Sequence, residues 1–219
     1  MQIQPNILHH LFRRVYFITG TAYAGKSTAV RLLAERHGGI CCGENYHDVL
    51  MDAVDPVYQP NLGYFSTMSG WQEFISRTPD EYEAWIDGNA AEITQLEVIC
   101  LLRAVEAGKP VFVDTNIPLD ILREISDHRR VAVMLSPQSM SVERFFDRPD
   151  PDKQFLLHQI EQAPDPDAAM RNFRACIARI NSPERYRDYA ESGFFTYTRT
   201  EESTIEEAIT ALETHFGLV

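Results

Sequence analysis

The chain has 219 residues, 44% of them hydrophobic and 24% charged, which excludes a disordered or collagen-like polypeptide and suits a single domain with a large core. Its 20 Lys and Arg residues stand against 32 Asp and Glu, a formal net charge of −12. So acidic a surface repels polyphosphate backbones, which argues against a general nucleic-acid binder, although it leaves room for one local basic pocket.

Short apolar β-rich runs alternate with longer helical patterns, as expected for a parallel sheet covered by helices on both faces. In chain order the predicted strands are Val15–Thr19, Gly39–Cys42, Val111–Asp114, Val131–Leu135 and Phe194–Thr198. The first helix between them spans Lys26–His37 and ends at Gly38-Gly39. The stretch Ala53–Gly70 is rich in Pro, Gly, Asn and Tyr and has no period, so a long loop is expected there. Four later helices start on a capping residue followed by proline: Thr78-Pro79, Asp150-Pro151, Asp165-Pro166 and Ser182-Pro183. Proline at the first helical position loses no hydrogen bond. The first of these runs towards Ala107 with Tyr82, Trp85, Ile86, Ile93 and Leu96 on one face, and Gly88 is a candidate interruption. A last helix, Ser203–Phe216, carries Ser203 and Glu206 at capping-box spacing.

The segment Gly20-Thr21-Ala22-Tyr23-Ala24-Gly25-Lys26-Ser27 fits the pattern GxxxxGK[ST], with Thr28 following it into the helix. The pattern arises by chance about one time in a hundred in a chain of this length. Here it also lies between a predicted strand and a predicted helix, where its chemistry requires it. Glycines let backbone N–H groups converge on phosphate oxygens, and the helix N-terminus adds partial positive charge. Lys26 can then bridge the β- and γ-phosphates while the Ser27 hydroxyl ligates Mg²⁺.

In these residues the chain resembles the P-loop NTPases and, more narrowly, their small-molecule kinases, the shikimate, gluconate and nucleoside-monophosphate kinase group. The resemblance implies a five-stranded parallel sheet ordered 2-3-1-4-5, helices on both faces, an acceptor site after the second strand and a mobile arginine lid after the fourth. It would make residues 1–219 one kinase-like domain, with an acceptor-side insertion at about 45–107 and a lid at about 141–165. Gluconate kinases carry Gly-Asp-x-Leu-His after the second strand. Gly43, Glu44 and His47 are similar, but Glu44 replaces the aspartate and Tyr46 the leucine.

Three carboxylates are candidates near a transferred phosphate. Glu44 or Asp48 would align the acceptor hydroxyl, the alternative being that either caps the following helix. Asp114 ends the run Val111-Phe112-Val113-Asp114, a Walker-B-like pattern in which it would join Ser27 at the metal; otherwise it makes a turn. Thr115 and Asn116 follow and could touch the acceptor or the bound water.

Beyond the fourth strand, Arg144 and Arg148 are four residues apart, so a continuous helix would present both on one face, as lid arginines closing on phosphates or as an ion-paired surface couple. Arg171 and Arg174 are further cations, more simply read as solvated. Arg199, after the last strand, is placed where related kinases receive adenine. Tyr58, Tyr64, Phe65, Trp71 and Trp85 are either an acceptor pocket or core.

The expected function is transfer of the γ-phosphate of ATP, with Mg²⁺, onto a small polar acceptor. The alternative is a nucleotide-binding switch or regulatory ATPase acting through a protein partner. Cys41, Cys42, Cys100 and Cys176 show no metal-ligand spacing, and no leader or run of about 18 apolar residues is evident. A cytoplasmic monomer or homodimer, with no membrane or nucleic-acid partner, is therefore expected.

Overall fold

The computed structural model describes residues 3–147 and 151–219. After α1 (Pro5–Leu11), the chain forms β1 (Val15–Gly20), α2 (Lys26–Arg36) and β2 (Ile40–Cys42). A 3₁₀ segment (Tyr46–Ala53) and two short helices, α3 (Tyr64–Thr67) and α4 (Trp71–Ile75), lead to the 27-residue α5 (Pro79–Val105). Then follow β3 (Val111–Asp114), α6 (Leu119–Ile125), β4 (Val131–Leu135), α7 (Gln138–Glu143), α8 (Pro151–Glu161), α9 (Pro166–Ile180), α10 (Pro183–Ala190), β5 (Phe195–Thr198) and α11 (Ile205–Phe216).

The five strands are all parallel, in the order β2-β3-β1-β4-β5. This is the expected order, and the strand bounds differ from the expected ones by one residue at most. Alternate side chains leave opposite faces. Val15, Phe17, Val111, Val113, Val131 and Val133 pack under α1, α5 and α6, whereas Tyr16, Ile18, Phe112, Ala132 and Met134 pack under α2 and α11. The apolar runs of β1, β3 and β4 follow from burial on both sides.

A third core stands apart from the sheet. Phe74, Ile75, Tyr82, Ile160, Phe173 and Ile177 join α4, α5, α8 and α9 into a helical cap, with Phe145 and Phe146 packed against it. The 53–70 stretch is not a loose loop. It contains α3, and Glu92 accepts from the backbone N–H groups of Asn61 and Leu62 at 3.0 and 2.8 Å. Gly88 does not interrupt α5 either; a Cβ there would lie 2.3 Å from Asn61 Nδ2, so glycine lets this stretch approach the helix. The cap of α11 is Thr204 with Glu207 rather than Ser203 with Glu206, because Ser203 bonds back to Thr200 and Glu206 pairs with Arg36. Among the described residues no helix is long and apolar enough to cross a membrane.

Candidate functional site

The loop after β1 is shaped by contacts with β4. Gly20 has φ +126°, and a Cβ on it would fall 2.0 Å from the Met134 carbonyl oxygen. Only glycine allows this approach, which Thr21 N–H completes by donating to the same oxygen at 3.0 Å. Ser136, just past β4, donates its N–H to Thr21 Oγ1 at 2.8 Å and its hydroxyl to the Ala22 carbonyl at 2.6 Å. Tyr23 takes a left-handed conformation at φ +64°, and Arg199 holds its carbonyl at 2.9 Å. Gly25, at φ +92°, is the N-cap of α2 and offers no side chain to its first turn. The free N–H groups of that turn therefore face the loop, together with the positive end of an 11-residue helix.

Three side chains meet beneath the loop. Lys26 Nζ donates to the Thr21 carbonyl at 3.1 Å and lies 4.0 Å from Asp114 Oδ1, while Ser27 Oγ donates to Asp114 Oδ2 at 2.7 Å. The parallel pairing of β1 with β3 brings them together, since Ile18 sits opposite Asp114. Burial pushes the Asp114 carboxyl up from its ordinary value; Lys26 and Ser27 counter this, and the nearby Glu44 adds to it.

A cleft of about 560 Å³ opens beside the loop, walled by the cap. Gly20, Thr21, Ala22, Tyr23, Thr28 and Glu44 all border it, and Asn116 extends the site from the end of β3. Asp48 does not line it; that side chain is exposed and 3.8 Å from His47 Nε2. On the other side of the loop a smaller pocket of about 170 Å³ is lined by Ala24, Gly25, Thr28, Tyr197, Arg199 and Ile205.

The expected helical face is not formed at Arg144. Helix α7 stops at Glu143 and the chain turns through Arg144. The turn sets Phe145 and Phe146 each 5.9 Å, between ring centroids, from Phe173 in the cap core. Arg144 is exposed, 4.0 Å from Glu201, and does not line the cleft. Arg148 lies outside the described residues. Arg171 and Arg174 are exposed on α9. Tyr64, Trp71 and Trp85, each partly buried, pack around Phe74 in the cap core; Phe65 touches the same rings but is exposed, as is Tyr58.

Sequence reasoning missed three residues. Lys153 and Arg185 bring positive charge to the cleft from α8 and α10. No local pattern marks them, because packing of the cap places them there. Glu97, fully buried on α5, accepts from Tyr46 Oη at 3.0 Å, Thr115 Oγ1 at 2.5 Å and the Asn116 N–H at 3.2 Å. It thus ties the segment after β2 to the segment after β3, and His47 Nδ1 is buried 3.9 Å away. A glutamate set beside Leu96 in an otherwise apolar stripe was the available signal.

Among the described residues no cluster of three or more His, Cys, Asp or Glu side chains could hold a metal on its own. Ser27 and Asp114 supply one hydroxyl and one carboxylate, the hard oxygen donors that Mg²⁺ takes when substrate phosphates and water complete its shell. The residues present fit that role. Compared with known protein families and with curated proteins, the sequence matches none.

Proposed function

We propose that the chain is a small-molecule kinase of the P-loop NTPase type, moving the γ-phosphate of ATP onto a small hydroxyl acceptor. The observation that carries this reading is the meeting of Lys26, Ser27 and Asp114 under a loop whose two glycines have positive φ. Such a loop offers converging N–H groups to the phosphate chain. The base and ribose would lie on the Arg199 side and the acceptor in the larger cleft beside Glu44.

Lys26 would exchange its bond to the Thr21 carbonyl for the β- and γ-phosphate oxygens. Ser27 and Asp114 would hold Mg²⁺, which supplies charge neutralisation on the phosphates when bound. Glu44 would accept the proton of the acceptor hydroxyl as its oxygen bonds to the γ-phosphorus and the bond to the β-phosphate oxygen breaks, releasing ADP. Positioning and electrostatics account for most of the rate in such reactions. Lys153, already in the cleft, would meet charge developing on the transferred group, the task expected of Arg144 and Arg148 from the sequence.

The test is ADP release from Mg-ATP across sugars, sugar acids, nucleosides and nucleotides. Stimulation by one compound, reduced about 10²-fold or more in Lys26→Ala, supports the kinase. Tight ATP binding without acceptor-dependent turnover would favour a switch acting through a protein partner.

A further inference from the structure

The end of the sheet opposite the phosphate loop holds a second recess. The loop meets the far ends of β4 and β5 through Met134 and Arg199, whereas a groove of about 660 Å³ opens where the same two strands begin. Over Val131–Leu135 of β4, roughly 13 Å of strand separates the two places. The groove is walled by the 3₁₀ turn His128–Arg130 that leads into β4, by Phe195 at the start of β5, and by His215 and Phe216 at the end of α11.

No carboxylate is among its lining residues, although the chain has 32 acidic residues and a net charge of −12. Asp127, the nearest acid in sequence, caps the turn, its Oδ1 accepting the Arg129 N–H at 2.8 Å. Glu213 of α11 is engaged with His37 at 2.9 Å and Arg36 at 3.6 Å. Among the described residues, the side chains of Arg129 and Arg130 have no ion pair and no hydrogen bond to protein. Arg130 is held instead by the ring of Tyr16, with Cζ 4.6 Å from its centroid. A guanidinium resting on a ring face keeps its in-plane N–H donors free. The partial negative charge at the end of α11, about half a unit, balances only a fraction of two guanidiniums.

The imidazoles are each engaged through one nitrogen. His215 Nε2 donates to the Val131 carbonyl at 3.0 Å, and His128 Nε2 meets the Gly193 carbonyl. Burial holds the His215 imidazole below its ordinary pKa, so the standing positive charge is that of the two arginines. Its ring stacks on Phe195 with centroids 4.5 Å apart and planes 13° from parallel, which fixes an apolar surface beside the cations.

We propose that this groove binds a phosphate monoester with a ring-bearing body, at a site separate from the phosphate loop. The inference does not depend on the phosphotransfer reading. Two guanidiniums offer fork-shaped donor sets to the oxygens of one dianion. A phosphate monoester carries about −1.5 to −2 charge at pH 7 and so matches the pair, whereas a carboxylate or a sulfate ester supplies a single charge. The Phe195–His215 stack and Phe216 give its ring an apolar wall, and the volume falls within the range of about 300–1,000 Å³ usual for small-molecule sites.

Calorimetry on the intact protein, with phenyl phosphate, phenyl sulfate and phenol as probes and no nucleotide present, tests this. The expected result is saturable binding of phenyl phosphate, about fivefold or more tighter than phenyl sulfate, with phenol silent. Arg129→Gln and Arg130→Gln should each weaken it about tenfold or more, and Lys26→Ala should leave it unchanged. Circular-dichroism melts establish that the variants fold. Arg129→Lys keeps the charge of an exposed side chain but loses the fork; it should bind between wild type and Arg129→Gln, and serves if the glutamine variants do not fold. Absence of saturable binding overturns the inference and leaves the two arginines as solvated surface groups. So does binding that the folded arginine variants leave unchanged, or that Lys26→Ala abolishes, which would place it in the loop. Phenyl sulfate bound as tightly as phenyl phosphate would overturn the assignment of a dianion.

Discussion

Replacing Gly20 by alanine tests the shape of the loop without touching any charged group. The added methyl would lie 2.0 Å from the Met134 carbonyl oxygen, where ordinary contact begins near 3.4 Å. The loop and β4 must then part by roughly 1.4 Å in a close-packed region. That movement breaks the Thr21–Met134 hydrogen bond. Overpacking costs about 1–3 kcal/mol, and holding alanine at a positive φ adds about 1–3 kcal/mol. A total near 4 kcal/mol lowers the melting temperature by about 8–16 °C in a chain of this size. Gly25→Ala is the control. At φ +92° it incurs the backbone strain, but its methyl meets only Met134 Cε, at 4.0 Å. About 2 kcal/mol and about 4–8 °C are expected there. Calorimetric or circular-dichroism melts read both. A Gly20→Ala protein as stable as wild type, or more stable than Gly25→Ala, would refute the geometry.

Three further outcomes follow from the core and the site. Asp114→Asn should abolish acceptor-dependent turnover while leaving stability at neutral pH equal or higher, because burial raises the Asp114 pKa in the folded state. The stability linked to a raised carboxyl is fully present below its unfolded value of about 3.9 and is lost as pH rises through the folded one. The melting temperature of Asp114→Asn minus that of wild type should therefore grow from pH 4 upward; a difference that shrinks contradicts the assignment. Glu97→Leu leaves Tyr46, Thr115 and Asn116 without their acceptor, and a urea titration should record a loss of about 4 kcal/mol, against a smaller loss for Glu97→Gln. Phe173→Ala empties the centre of the cap and should cost about 3–5 kcal/mol, with loss of near-ultraviolet signal from Trp71 and Trp85.

The sheet was legible because each central strand is buried on both faces and so reads as a continuous apolar run. The 20–27 loop was legible because glycines, lysine and serine are fixed by local geometry. The cap was harder to read. Gly88 resembles a helix break until Asn61 is seen pressed against it, a contact 27 residues distant in sequence. Ser203-x-x-Glu206 and Thr204-x-x-Glu207 are overlapping capping boxes, and the choice between them depends on Arg36, which claims Glu206 from another helix. Arg144 and Arg148 promised one helical face by spacing alone, but Phe145 and Phe146 both turn into the cap and the helix ends before them. Lys153, Arg185 and Glu97 reach the site only through packing between elements far apart in sequence, which no local pattern encodes.

Isothermal titration of the intact protein with ATP, with and without magnesium, addresses the central claim most directly. Saturable binding of one nucleotide per chain, tighter with magnesium and weakened about 10²-fold or more in Lys26→Ala, is the result predicted from the loop. No heat of binding with ATP or GTP under either condition, or binding that Lys26→Ala leaves untouched, would contradict it.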